Sequence, residues 1–208
     1  FEDSDILVVN KQAGLLSVAT DKMEPDTLHS RVIDYLRFDD ERAWAFIVHR
    51  LDRETSGVMI FAKSKWHKEY LQEQFAERSV HRVYHALVQG KPEENSGTIH
   101  EWLLEDKFLR VKSVNKRTPN AREAITHWSI EDSDDIASLI MLTIETGRRH
   151  QIRVGLANLG NPVVGDEQHG AEGNPIGRIA LHATALELLH PATDDPVRFE
   201  ATIPFGPE

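Results

Sequence analysis

The chain has 208 residues, 40% of them hydrophobic and 28% charged, a composition that lets a globular protein bury its own core and excludes disorder as the main state. Its lack of cysteine excludes a disulfide framework, a thiolate metal site and a cysteine nucleophile, and fits a reducing cytoplasm. The formal charge of -10 excludes a protein that coats polyanions indiscriminately, so any nucleic-acid site must be a local basic patch.

The length favours one domain, no apolar run approaches the roughly 18 residues of a membrane span, and the opening residues do not read as a secretory or transit segment. FEDSDILVVNKQAG predicts a strand over Ile6 to Val9 that runs into a glycine-containing turn. Asp26 or Thr27 can cap a helix with Leu28, Val32, Ile33 and Leu36 on one face. A β-like run from Ala43 to Val48 and a second from Val58 to Ala62 flank the loop IVHRLDRETSG. Ser64 then caps a helix expected to turn Trp66, Tyr70, Leu71 and Phe75 inward.

From His81 the pattern shifts toward period two, with HRVYHALVQG, the turn-rich KPEENSG and GTIHEWLL predicting neighbouring antiparallel strands. In IASLIMLTIE both faces are largely apolar, which predicts a central strand. Thr146 and Gly147 lead into a predicted helix, RRHQIRVGLANLG, on which Arg149 and Arg153, four residues apart, share a face. The end of the chain reads as two or three short strands broken by PATDDP.

Asp52 lies between Arg50 and Arg53. A local salt bridge or turn is the usual account of such a carboxylate; the functional alternative is that guanidinium charge holds it ionised in a dry site, as a nucleophile or base. His49 and Asp52 lack the spacing of the kinase HRD loop, and the chain has neither a GxGxxG loop nor a DFG motif. His150, His169, His182 and His190 form no HExxH or comparable ligand pair, so no metal site is expected. The segment 107–122 carries Lys107, Arg110, Lys112, Lys116, Arg117 and Arg122 with no acidic residue. It is either a solvated edge strand defended by its cations or a surface for RNA phosphates. Arg148, Arg149 and Arg153 form a second basic group at a predicted helix start, where backbone N–H groups also favour anions.

HRLDRETSG resembles the signature of the RluA family of RNA pseudouridine synthases. Three more segments agree in order: DILVVNKQAGLLSV, HRVYHALVQG with its basic-x-Tyr pattern, and TGRRHQIRV followed by GNPVVGD. The departures are Gln12 where a proline is usual, and Gly155 and Asn161 where histidines are common. The resemblance implies an α/β (α+β) pseudouridine synthase fold: a large, mixed, mostly antiparallel bent sheet with flanking helices and a central active-site cleft. One catalytic domain over 1–208 is implied; the separate N-terminal RNA-binding domain that many relatives carry is not seen within these residues, and the true start of the protein can lie upstream of Phe1.

By the same resemblance Asp52 matches the catalytic aspartate, Tyr84 the active-site tyrosine and Arg153 the arginine that pairs with the aspartate. Arg50 matches a base-flipping position and Leu181 an apolar position lining the uracil pocket. His49, Arg53 and Arg149 complete the expected substrate-binding set. The implied activity isomerises a specific uridine in structured ribosomal or transfer RNA, with no cofactor, by a cytoplasmic monomer independent of membranes. The alternative is a catalytically silent RNA-binding module of the same fold.

Overall fold

The computed structural model describes residues 1–206 and divides the chain into two compact units, Phe1–His81 with Ala183–Thr202, and Arg82–His182 with residues 203–206. In the first unit, β1 (Ile6–Lys11) pairs antiparallel with β3 (Ser56–Ala62), from Ile6 opposite Ala62 to Lys11 opposite Gly57. A short β2 (Phe46–Ile47) also lies antiparallel on β3. The strand β9 (Leu181–Leu189) neighbours β3, and β10 (Pro196–Glu200) folds back on it antiparallel after the predicted break.

Every residue of β3 is buried. This is the expected result of its continuous apolar sequence, since a strand covered on both faces needs no polar alternation. Val58, Ile60 and Ala62 join Ile6, Val48, Leu71, Leu186 and Leu188 in one core cluster. Gly57 makes the close approach to β9 possible: its φ is +118, and a Cβ there would stand 2.1 Å from the Ala183 carbonyl oxygen. The predicted strand 43–48 is ladder-bonded only at Phe46 and Ile47, although Ala45 and Val48 are buried beside it.

Helix α1 (Leu28–Arg37) buries Leu28, Val32, Ile33 and Leu36 as expected, and Thr27 and Ser30 form a reciprocal capping box at its start. Helix α2 (Lys65–Ala76) is capped by Ser64, but the expectation for its inward face needs correction. Leu71 is fully buried and Phe75 partly so, whereas Trp66 is 61% exposed and stacks on Tyr70. Positions 66 and 70 share a stripe displaced from the one that holds 71 and 74. Gln74 fills the buried stripe because both its amide groups are satisfied: Nε2 donates to the Leu189 carbonyl at 2.9 Å and Oε1 accepts the Leu189 N–H at 2.8 Å.

The second unit holds five strands in the order β4 (His81–Gln89), β8 (Ala137–Ile144), β7 (Arg122–Ser133), β5 (Ser96–Glu105) and β6 (Val111–Val114), each antiparallel to the next. As predicted, β8 is an interior strand, with Ser138, Ile140 and Leu142 fully buried. Helix α3 (Gln151–Asn158) packs on this sheet, Val154 clustering with Leu103, Val111 and Ala124. It starts three residues later than predicted because His150 takes a left-handed conformation (φ 53) at its N-cap. Arg149 therefore precedes the helix and is exposed, while Arg153 lies inside it and is buried; the expectation that they share a face is overturned.

Candidate active site

The loop around Asp52 is held by the segment that follows β1. Lys11, in the core at 1% exposure, directs its ammonium group to three carbonyl oxygens: Leu15 at 2.7 Å, Gln12 at 3.0 Å and Arg53 at 3.0 Å. The Gly14 N–H donates to the same Arg53 carbonyl at 2.8 Å. Ser17 Oγ donates to the Leu51 carbonyl at 2.6 Å and accepts the Leu51 N–H at 3.1 Å. The Thr55 N–H closes the turn on the Asp52 carbonyl at 3.1 Å. The backbone on both sides of Asp52 is thus tied down, and its half-buried side chain projects from a turn with little freedom.

The neighbours of Asp52 divide by exposure. Arg50 and Arg53 are exposed. Arg53 has its guanidinium 4.0 Å from Glu24. His49 is half-buried, stacked on Phe75 at 4.9 Å, with Nε2 accepting the Ile60 N–H at 3.2 Å. That contact spends one ring nitrogen on the fold and sets the imidazole's orientation.

Tyr84, Arg153, Leu181 and Arg149 belong to the second unit. Tyr84 is buried on β4, opposite Leu142 of β8. Leu181 is buried at the start of β9, and its carbonyl accepts from Arg178 Nη2 at 3.0 Å. Arg153 forms a two-pronged ion pair with Asp166, Nε to Oδ2 at 2.7 Å and Nη2 to Oδ1 at 2.8 Å, with both side chains buried. His169 Nδ1 lies 2.9 Å from Asp166 Oδ2. Burial alone would raise the Asp166 carboxyl; the hydrogen bonds and charges of Arg153 and His169 outweigh it and hold the group well below the usual carboxylate range. His150, whose ring packs edge-on against His169 at 5.2 Å, is pushed down to about 4, first by burial and then by the charges of Arg153, His169 and Arg149. It is therefore a neutral imidazole at neutral pH.

The structure distributes the basic segment 107–122 over the β5–β6 turn, β6, the β6–β7 turn and the start of β7, with all six cationic residues exposed. Lys107 and Arg110 lie over the exposed Phe108 ring at 5.0 and 5.4 Å, and Lys116 lies over Trp102 at 5.4 Å. Arg110 also pairs with Asp106 at 2.9 Å. Arg122 and Arg149, nearly thirty positions apart in sequence, line one cavity of about 360 Å³ with Asn120, Glu105, Leu103 and Val111. Arg149 stands 3.9 Å from Glu105.

Among the described residues, Asp3, Asp5 and His190 have the make-up of a metal ligand group, their ligand atoms falling within 4.8 Å of one another. Asp3 already accepts the N–H groups of Asp5 and Ile6 at 2.8 Å each and is bonded to His190 Nε2 at 2.9 Å. Those bonds account for the cluster as a tie between the start of β1 and the β9–β10 turn.

The family model described as RNA pseudouridylate synthase matches residues 5–158. The chain belongs to the RluA family of RNA pseudouridine synthases. It is 34% identical over 206 residues to "Uncharacterized RNA pseudouridine synthase YhcT" of Bacillus subtilis strain 168, covering 98% of this chain and 68% of that protein. It is also 34% identical over 194 residues to the "Dual-specificity RNA pseudouridine synthase RluA" of Vibrio cholerae, covering 92% and 76%. Among solved structures it is similar to Human RNA Pseudouridylate Synthase Domain Containing 1, with TM-score 0.78, 28% identity, and 99% and 82% of the two chains covered. Membership of this family makes the chain an isomerase and accords with the observed α+β architecture.

Two departures from the family pattern have local reasons. A Cβ at Gly155 would come within 3.2 Å of both Ile99 Cγ2 and Glu101 Oε1, so a larger residue there requires these β5 side chains to give way by a few tenths of an ångström. Asn161 is buried, its Nδ2 donating to the Gln89 carbonyl at 2.9 Å. Sequence reasoning gives Lys11, Ser17 and Asp166 no role of their own, and weighs His169 only as a metal ligand. A lysine closing the apolar strand ILVVNK was a usable signal, since a buried ammonium needs acceptors and the loop supplies them. Arg82 was noted only as part of a strand motif. It is half-buried, and its Nη2 donates to the carbonyls of Ile144 and Glu145 at 3.3 and 3.1 Å, closing the end of β8.

Proposed function

We propose that this enzyme converts a specific uridine of structured ribosomal or transfer RNA to pseudouridine, with Asp52 as its catalytic carboxylate. The observation that carries the reading is the fixed loop: Lys11, Gly14 and Ser17 tie down the backbone on both sides of Asp52, while Arg53 is turned to Glu24. The family signature coincides with that loop. Pseudouridine formation breaks the bond from uracil N1 to the sugar, turns the base and joins the sugar to carbon 5, whose proton is released as N1 gains one. No electrons are exchanged, so the demand falls on an ionised carboxylate held in a water-excluded site.

In this reading Arg153 keeps Asp52 ionised and directs it, and Tyr84 stacks on the uracil with its hydroxyl available as acid or base. Leu181 supplies apolar lining. Arg50 occupies the space left by the flipped base, whose extrusion costs a few kcal/mol. Arg122, Arg149 and the cations of 107–117 meet RNA phosphates. Both units work together as one catalytic domain, as a cytoplasmic monomer and without a cofactor. No helix among the described residues is long and apolar enough to cross a membrane.

The test is isomerisation of total RNA from a strain lacking the gene, with pseudouridine measured by mass spectrometry. Wild type forms the product and Asp52→Asn forms none while retaining salt-dependent RNA binding. Absence of product with both proteins, together with equal binding, would instead establish the silent RNA-binding module.

A further inference from the structure

We propose that Asp166, backed by His169, is the positioning residue that aims Arg153. The inference rests on the catalytic assignment of Arg153 made above, and it gives a role to the aspartate of the GNPVVGD segment.

Both partners are almost wholly buried. An ion pair so deep gives little net stability, because the cost of stripping water from two charges offsets most of their attraction, and apolar pairs of similar volume are often as stable. What the pair does supply is direction. A guanidinium is a flat fork, and a carboxylate meeting it along one edge with two bonds fixes both the plane and the rotation of the group. Asp166 takes the Nε–Nη2 edge, so the direction of the Nη1 corner follows from the position of Asp166.

Asp166 is itself held. Its N–H donates to the Val163 carbonyl at 2.9 Å, and its own carbonyl accepts the N–H groups of His169 at 3.0 Å and Ala171 at 3.1 Å. Gly165 permits this turn: its φ is +81, and a Cβ would lie 2.2 Å from the Arg178 carbonyl oxygen. The carboxylate has a second side-chain neighbour in His169 Nδ1, which reaches both oxygens at 2.9 and 3.1 Å. Turn 163–171, Asp166 and Arg153 therefore form a rigid sequence of contacts ending on a guanidinium.

The test is a rate cycle on wild type, Arg153→Met, Asp166→Asn and the double variant. Single-turnover rates are measured on total RNA from a strain lacking the gene, with RNA retention by filter binding and folding by circular dichroism. Asp166→Asn is expected to slow the reaction about 30-fold with RNA binding changed less than about twofold, a loss typical of a misaimed group. The double variant is expected to be no slower than Arg153→Met, because Asp166 acts only through the arginine. A slow Arg153→Met combined with a wild-type rate in Asp166→Asn, or with losses that multiply in the double variant, overturns the positioning role alone. A wild-type rate in Arg153→Met overturns the assignment of Arg153 and the positioning role with it. Should Asp166→Asn fail to fold, His169→Ala decides: a several-fold slower rate with unchanged binding and no further loss in the Arg153→Met background supports the role, and a wild-type rate overturns it.

Discussion

Lys11 Nζ donates to the main-chain carbonyl of Arg53 at 3.0 Å, joining the end of β1 to the residue after Asp52. Because the ammonium is buried among three such acceptors, replacing it by an isosteric apolar chain leaves several carbonyls without this donor. Lys11→Met is expected to lower stability by about 3 kcal/mol, seen as a lower urea midpoint. Its turnover should fall more than its RNA affinity, since the Asp52 loop loosens while the basic surface is untouched. Unchanged turnover in the folded variant would mean that the loop keeps its geometry without the lysine.

Arg122 and Arg149 share a cavity although they lie on different elements. If that cavity receives RNA phosphate, Arg122→Gln and Arg149→Gln each weaken binding, and each reduces the slope of log affinity against log salt by about 0.8. Arg31→Gln serves as the control, because Arg31 is exposed and paired with Asp26 in the first unit. Filter binding across a salt series reads all three. Slopes equal to that of wild type in both test variants would remove the cavity from the RNA path.

Gln74 replaces two missing ladder bonds at the end of β9, meeting both backbone groups of Leu189. Gln74→Leu fills nearly the same volume but satisfies neither group, so a loss of about 2 kcal/mol is expected, with the turnover of the folded enzyme unchanged. Chemical denaturation and single-turnover assay measure the two effects separately. A stability within about 0.5 kcal/mol of wild type would show that water restores both bonds.

The elements best read from sequence were those whose residues carry their own reason. The apolar stripe of α1 and its Thr27 cap, the two-faced strand β8 and the strand break at PATDDP between β9 and β10 all follow from local spacing. Trp66 misled because an aromatic at helical spacing looks like core, whereas Gln74 is buried only because a strand end in another part of the chain offers it two bonds. The start of α3 turned on one left-handed residue, His150, which periodicity does not register. Asp52 was legible through its motif. Lys11 and Asp166 matter through partners 42 and 13 residues away, and contacts of that kind are properties of the folded chain.

His150 gives the fold a specific acid response. Its imidazole is buried, its Nδ1 has no hydrogen-bond partner among the described residues, and its titration is pushed down to about 4, first by burial and then by the facing charges of Arg153, His169 and Arg149, with Asp166 opposing them. In the unfolded chain the same group titrates near 6.5. Between those values the unfolded state binds a proton that the folded state refuses, so this contribution to stability is complete above about pH 6.5 and is lost as pH falls toward 4. Its ceiling is about 3 kcal/mol. Asp166, with its folded value depressed, loses its contribution only at lower pH, below the ordinary carboxylate range, and leaves this window to the histidine. His150→Asn, which tolerates the left-handed backbone, should be less stable than wild type at pH 7.5 or equal to it, yet should lose about 2 kcal/mol less between pH 7.5 and 4.5. Urea midpoints at the two pH values measure the difference, and parallel losses in the two proteins would show that His150 does not carry it.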